Sequence, residues 1–220
     1  MVGRARRDYG VKYGMDLFSR LRSWSRYVAL GDSLTAGRGD FAADGQPVGW
    51  ARRLADILTD RTCVACRLTN LAVDGATVGR VVAQQLPQLD GARPDLVSVT
   101  VGMNDIRGLE FRSEEFGADL ERLLDELAAT GATLLTCTLP DVAEVVELPA
   151  AHIEIARQRL SAASAIIREQ SARHGAVCLD TWAMAELAAS PELFTADRLH
   201  PNTSGHLRLA EEFADLLLAG

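Results

Sequence analysis

The 220-residue chain predicts an α/β protein, a three-layer α/β/α sandwich around a five-stranded parallel sheet in the flavodoxin-like order 2-1-3-4-5. Two observations carry this. Short apolar, β-branched runs alternate with longer segments of helical periodicity along the whole length, and helical crossovers between parallel strands, right-handed almost without exception, are what such alternation builds. The composition, 48% hydrophobic and 24% charged, has the balance of one globular domain with a large core.

In chain order, Tyr27 to Leu30 is the first strand and runs into a turn at Gly31. Trp50 to Leu58 reads as a helix with Trp50, Leu54, Ile57 and Leu58 on one face. Leu68 to Val73 is the second strand, and Val78 to Leu89 a helix that Pro87 kinks or ends. Asp95 to Val101 has the β-branched richness of a buried third strand. Phe116, Leu120, Leu123, Leu124 and Leu127 form the stripe of the clearest helix, with Ser113 as N-cap and Gly131 as C-terminal stop. Thr133 to Leu139 is the fourth strand. A long helix over Ala150 to Arg173, stopped at His174-Gly175, leads to the fifth strand at Ala176 to Leu179, and a last helix follows Thr203.

Charge divides the chain into a basic N-terminal extension, residues 1–25, and a single domain, residues 26–220. Residues 1 to 26 hold seven Lys/Arg against Asp8 and Asp16, so a net charge of −7 leaves the remainder strongly acidic. An Arg-rich arm can touch a membrane or nucleic acid but is more often a solvated extension, and the acidic remainder argues against a nucleic-acid partner. No apolar run has the form of a signal peptide or approaches the roughly 20 residues that span a bilayer, so the expectation is a cytoplasmic protein without stable membrane insertion. Cys63 and Cys66 have C-x-x-C spacing but no second ligand pair, while Cys137 and Cys178 sit in apolar strand-like runs. All four are expected reduced, with no metal.

Chemistry concentrates in two stretches. Gly31-Asp32-Ser33-Leu34-Thr35-Ala36-Gly37 puts a serine on a tight turn after the first strand, and Asp197-Arg198-Leu199-His200 supplies a histidine with a carboxylate three residues before it. These are the parts of an activated serine nucleophile: Ser33 attacks, His200 takes its proton, and Asp197 orients His200. In the 2-1-3-4-5 order the carboxyl ends of strands 2, 1 and 3 are neighbours. Ser33, the turn Asp74-Gly75 and the turn Gly102-Met103-Asn104-Asp105 therefore meet at one rim. The backbone N–H groups of Ser33 and Gly75 and the Asn104 amide are the candidate donors of an oxyanion hole.

Each residue also has a plainer reading. Ser33 can serve as a turn serine at a helix N-terminus, Gly75 can relieve a positive φ, and Asn104 and Asp105 can shape a turn. Asp32 reads as a turn stabiliser, and His152, His174 and His206 as solvated or capping residues on or beside helices. The better-known nucleophile elbow, G-x-S-x-G, is absent because Thr35 stands at its fifth position.

Four blocks in order, Gly31-Asp32-Ser33-Leu34, Asn70-Leu71-Ala72-Val73-Asp74-Gly75, Gly102 to Asp105 and Asp197 to His200, resemble those of the SGNH hydrolases, or GDSL esterase/lipase family, over about residues 27 to 217. The resemblance implies an α/β/α fold, with Ser33 as nucleophile, His200 as base, Asp197 orienting it, and Gly75 and Asn104 completing the oxyanion hole. It implies a serine esterase or acylhydrolase acting on a small-molecule ester, and serine acyl transfer needs no cofactor.

The segments Arg38 to Gly49, Ile106 to Arg112, Asp141 to Pro149 and Trp182 to Ala196 are expected to rim the site, with Val142, Val145, Val146 and Leu148 lining an acyl pocket, forming a small lid or packing under a loop. A short or medium acyl ester is the first-choice substrate, ahead of a thioester or an acetylated sugar. Two other readings compete: an acyltransferase with the same triad, and a non-catalytic protein holding a phosphate on the Gly31 to Gly39 turn. The second lacks a Walker lysine and leaves the Asp197/His200 pair unexplained.

Overall fold

In the computed structural model, residues 23–146, 148–184, 186 and 189–219 are described, so residues 1–22 of the basic extension lie outside the described part. Five strands, β1 (Arg26–Gly31), β2 (Arg67–Asn70), β3 (Leu96–Thr100), β4 (Thr133–Cys137) and β5 (Val177–Leu179), form one sheet in the order β2-β1-β3-β4-β5. Every pairing is parallel, with Val28 opposite Thr69 on one side and Val97 on the other.

The helices that cover this sheet are α1 (Ser33–Ala36), α2 (Gly49–Thr62), α3 (Val78–Arg80), α4 (Met103–Ile106), α5 (Ser113–Ala128), α6 (Ala150–Arg173) and α7 (Thr203–Ala219). Side chains of a strand alternate between faces, and β1 shows what that does here. Tyr27 and Ala29 face the layer of α2 and α7, packing with Trp50, Leu54, Leu58, Leu209, Phe213 and Leu217. Val28 and Leu30 face the layer of α5 and α6, packing with Leu120, Leu124, Leu127, Leu160 and Ile167. The Trp50 and Phe213 rings stack at 4.7 Å, joining α2 to α7. Trp24, placed by sequence in the extension, is buried in the α2/α7 layer and donates from Nε1 to Thr133 Oγ1.

Three local expectations need correction. The Val78 to Leu89 segment is not one regular helix: α3 passes into a π-turn over Val81–Gln85 and a 3₁₀ turn over Leu86–Leu89. Pro87 lacks the N–H a regular helix needs there, and the wider π-turn lets Gln85 point inward. The buried Gln85 amide pairs with the Gly31 peptide in both directions, accepting from its N–H and donating to its C=O, each at 2.8 Å. Secondly, Ser113 is the first residue of α5 rather than its cap. Arg112 holds the cap position without a side-chain bond, and Glu114 and Glu115 supply negative charge to the first turn. Thirdly, β2 stops at Asn70, whose side chain bends the chain by donating to Thr35 O and accepting from Ala72 N. Single bonds from Leu71 N to Ala29 O and Val73 N to Gly31 O still carry the β2 extension along β1 to the rim.

The first βα turn and the C-terminal segment are joined through Asp40. This buried carboxylate accepts from Gly49 N, from Arg53 Nε at 2.7 Å and Nη2 at 2.9 Å, and from Thr203 Oγ1 at 2.9 Å. Burial alone would raise its pKa, but the Arg53 and Thr203 hydrogen bonds and the guanidinium charge outweigh burial and hold it below the usual carboxylate range. A carboxylate whose folded pKa is depressed adds stability above its unfolded pKa, and loses it as pH falls through the folded value. Asp40→Asn should therefore melt several degrees below the unsubstituted protein at pH 7, with the gap narrowing below about pH 4; melts from pH 7 to pH 3 check this, and a pH-independent gap would contradict it.

Candidate active site

The turn that follows β1 is shaped by what cannot fit there. Gly31 has φ +141°, and a Cβ on it would lie 2.4 Å from the Thr100 carbonyl of β3, so only glycine lets the two strands end this close. Asp32 then caps α1 by accepting from Leu34 N, and Ser33 is the first residue of that one-turn helix. The hydroxyl of Ser33 stands 3.0 Å from His200 Nε2. His200 Nδ1 in turn lies 2.7 Å from Asp197 Oδ2.

Asp197 organises its own loop as well as the imidazole. Its Oδ1 accepts from the backbone N–H groups of Leu199 and His200 and from the Thr195 hydroxyl. Partial burial would raise its pKa, but the His200 backbone and side-chain bonds, with those from Leu199 and Thr195, hold the carboxyl well below the usual range. Asp197 thus stays anionic. Since the carboxylate can only accept, the Nδ1 contact fixes the tautomer with its proton on Nδ1, leaving Nε2 free to accept from Ser33. The sequence-selected Ser33, His200 and Asp197 form one continuous hydrogen-bonded chain.

The two side-chain and turn candidates for oxyanion binding are arranged differently. Gly75 lies in an exposed turn at φ +74°, and a Cβ there would meet nothing within 4 Å, so the glycine answers a need of the backbone rather than of space. The N–H groups of Ser33 and Gly75 enter no hydrogen bond among the described residues. Asn104, on the first turn of α4, directs its amide to Asp32 Oδ2 at 3.2 Å and Ala76 O at 3.0 Å. Its neighbour Asp105 accepts from Val78 N. Together they fasten the turn after β2 to the turn after β3, so the Asn104 amide can serve an oxyanion only by exchanging one of these partners.

Other residues around the site carried no short-range signal. His206, read as a solvated or capping residue, is buried: its Nδ1 caps α2 by accepting from Trp50 N at 3.1 Å, and its Nε2 donates to Arg38 O at 2.9 Å. His174 bonds Gln170 O and Asp125 away from the site. Arg159 of α6 donates to the carbonyls of Ile106, Gly108 and Leu109, bracing the segment after α4. Among the described residues, no group of three or more His, Cys, Asp or Glu is placed to hold a metal ion, and no helix is long and apolar enough to cross a membrane. The four cysteines are free thiols.

Two cavities meet at His200. One is a chamber of about 110 Å³ below Ser33, walled by Cys137, Leu139, Leu193, Phe194 and Leu209. The other is a groove of about 830 Å³ on the outer side, between the segment after α4, the loop before α6 and α6 itself. All four segments expected at the rim contribute, through Arg38, Leu109, Val142 and Phe194 among others, and Val142, Val146 and Leu148 line the groove rather than the chamber.

The fold is shared with known proteins. The model of the GDSL-like lipase/acylhydrolase family matches residues 29–208. An acetylxylan esterase of Geobacillus stearothermophilus is 25% identical over 213 residues, covering 88% of this chain and 94% of that protein. The crystal structure of an acetylxylan esterase from the same organism superposes with a TM-score of 0.73 at 21% identity, over 90% of this chain and 95% of the other. An α/β hydrolase from the metagenome of Lake Arreo, Spain, gives 0.72 at 23% identity over 89% and 95%. A lipase/acylhydrolase from Enterococcus faecalis gives 0.69 at 18% over 88% and 96%.

The buried Asp32 carboxyl beside the serine has a measurable cost. Burial, reinforced by the charges of Asp105 and Asp74 and only partly offset by the Leu34 N–H, pushes its pKa up to about 7. A carboxyl whose folded pKa is raised lowers stability as pH climbs from its unfolded value near 4 to its folded value near 7, because the unfolded chain gives up the proton first. In urea unfolding, the stability of Asp32→Asn relative to the unsubstituted protein should rise across that window and level off above about pH 8. A difference constant from pH 4 to 8 would show that Asp32 ionises normally.

Proposed function

Because the chain belongs to the GDSL-like lipase/acylhydrolase family and is a serine ester hydrolase, we propose that it cleaves short-chain carboxylic esters through an acyl-enzyme on Ser33. The observation that carries this is the Ser33–His200–Asp197 chain, closed between residues 167 positions apart. Ser33 Oγ attacks the ester carbonyl as its proton passes to His200 Nε2. The resulting imidazolium is stabilised by the anionic Asp197 and returns the proton to the departing alcohol oxygen. Water then repeats the sequence on the acyl-enzyme, with His200 again as base.

The tetrahedral intermediate places a negative oxygen over the N-terminus of α1 and the turn after β2. The unpaired N–H groups of Ser33 and Gly75 are the donors available without rearrangement, and the Asn104 amide joins them by leaving Asp32 Oδ2 or Ala76 O. Asp32, largely able to carry its own proton near neutrality, holds the amide less firmly than a fixed carboxylate would. The small apolar chamber favours an acyl group of a few carbons, an acetyl ester above all.

Ser33→Ala should abolish both ester hydrolysis and labelling by a fluorophosphonate, with little change in melting temperature because one half-buried hydroxyl is lost and no core volume. Labelling that persists in the variant would remove Ser33 from the nucleophile's role. His200→Ala should be nearly inactive, and Asp197→Ala slower but measurable.

Asn104→Ala should lower kcat by on the order of a hundred- to a thousandfold with a much smaller change in KM, since the bond forms mainly in the transition state. Melting temperature and kinetics on one preparation separate this from scaffolding: a variant that melts lower yet keeps near-normal kcat while folded would assign Asn104 to holding Asp32 and Ala76 alone.

A further inference from the structure

The groove outside His200 states what the substrate's alcohol looks like. Of the two cavities, only the chamber is small enough to grip an acyl group of a few carbons, which leaves the roughly 830 Å³ groove for the alcohol. The alcohol oxygen must also sit where His200 can return its proton, and the groove is bordered by His200. Four residues face both cavities: Met103, Arg107, Leu199 and His200. Arg107 is therefore the one arginine among the described lining residues that faces both cavities.

Arg107 differs from the other arginines of the groove. Arg159 is spent on three backbone carbonyls, and Arg38 faces Asp74 at 3.6 Å. Arg107 has neither a hydrogen bond nor an ion pair among the described residues. The Arg159 bonds to Ile106, Gly108 and Leu109 nevertheless brace the backbone on both sides of it. Asp197, already bound to His200, is the single carboxylate among the described lining residues, in a protein whose net charge is −7. Apart from the imidazoles of His152 and His200, the rest of the lining is largely apolar: Val142, Val146, Leu148 and Ile155, with Leu109 fully exposed.

A guanidinium on a braced turn, set in an apolar wall and short of a counter-charge, is built to bind an oxyanion in two-pronged fashion. An uncharged alcohol would leave it idle. Resting on the ester-hydrolase reading above, we propose that the alcohol half of the substrate carries an anionic group, carboxylate or phosphate, on an apolar body, and that Arg107 binds that group.

The test compares acetyl esters alike in shape and different in charge: 4-acetoxybenzoate, its uncharged counterpart 4-acetoxybenzamide, and 4-acetoxyphenyl phosphate. The unsubstituted enzyme should prefer an anionic ester over the amide by about ten- to a hundredfold in kcat/KM, the range of one charge-assisted bond. The preference should shrink with added salt. In Arg107→Gln the ratio should fall to about one, and in Arg159→Met, which frees the turn that carries Arg107, to an intermediate value. Which anionic ester gains more tells carboxylate from phosphate. No anionic preference in the unsubstituted enzyme, or one that survives in Arg107→Gln, overturns the proposal. Hydrolysis of the uncharged ester reports on the ester-hydrolase reading separately. Calorimetric binding of 4-hydroxybenzoate, expected to be weakened in Arg107→Gln, reads the anion site with no turnover at all, and equal binding by both proteins would equally overturn it.

Discussion

The buried cross-tie between the first βα turn and α7 is the constraint on which the site depends. Ser33 and His200 belong to opposite ends of the sequence, and a hydrogen bond between them of 3.0 Å survives only if the two loops are held to within a few tenths of an ångström. Asp40 does this from one side, gathering Gly49, Arg53 and Thr203. His206 does it from the other, reaching from α7 to the N-terminus of α2 and to the Arg38 carbonyl. The backbone adds a third tie: a Cβ on Gly39 would lie 2.1 Å from the Pro201 carbonyl, immediately after His200. Side chains outside the Ser33–His200 contact thus set its geometry.

The other half of the rim is fixed in the same manner. Gln85 grips the Gly31 peptide, Asn104 bridges Asp32 and Ala76, and Asp105 receives Val78 N, so the turns after β1, β2 and β3 are bonded to one another before any ligand arrives. Free N–H groups in a braced frame are what electrostatic preorganisation requires, because no dipole has to turn when charge develops. Asn104 is the exception, a donor engaged at rest.

The strand order was legible because the hydrophobic period changes cleanly between segments and parallel connections have one hand. The Asp197 and His200 positions were legible because a carboxylate three residues before a histidine can reach its ring within one turn, and Ser33 because it stands on the tight turn that ends the first strand. What escaped the sequence depends on partners distant in the chain. Asp40 sits in a polar loop where an acid usually meets water, and nothing nearby announces Arg53 and Thr203. Gln85 looks like any polar residue on a helix until a π-turn rotates it toward Gly31. His206 gave the right residue type for a cap, but its helix is α2, reached across 156 positions of sequence. The valines of the loop before α6 were expected to line an acyl pocket, to form a lid or to pack under a loop; Val142 and Val146 line the groove while Val145 packs against the core, a division decided by how that loop folds onto α6.

Placing the proposed base, His200, behind the last strand also sets when the site is complete. Contacts of such high sequence separation form late, after the loop-closure entropy of the intervening chain has been overcome. The β1 turn can form with its serine in place before its hydrogen-bond partner, 167 residues further on, has reached it. Only when residues through α7 have been made and Phe213 has stacked on Trp50 does His200 arrive. On the proposed mechanism, activity therefore becomes a report that the layer of α2 and α7 has docked on the sheet.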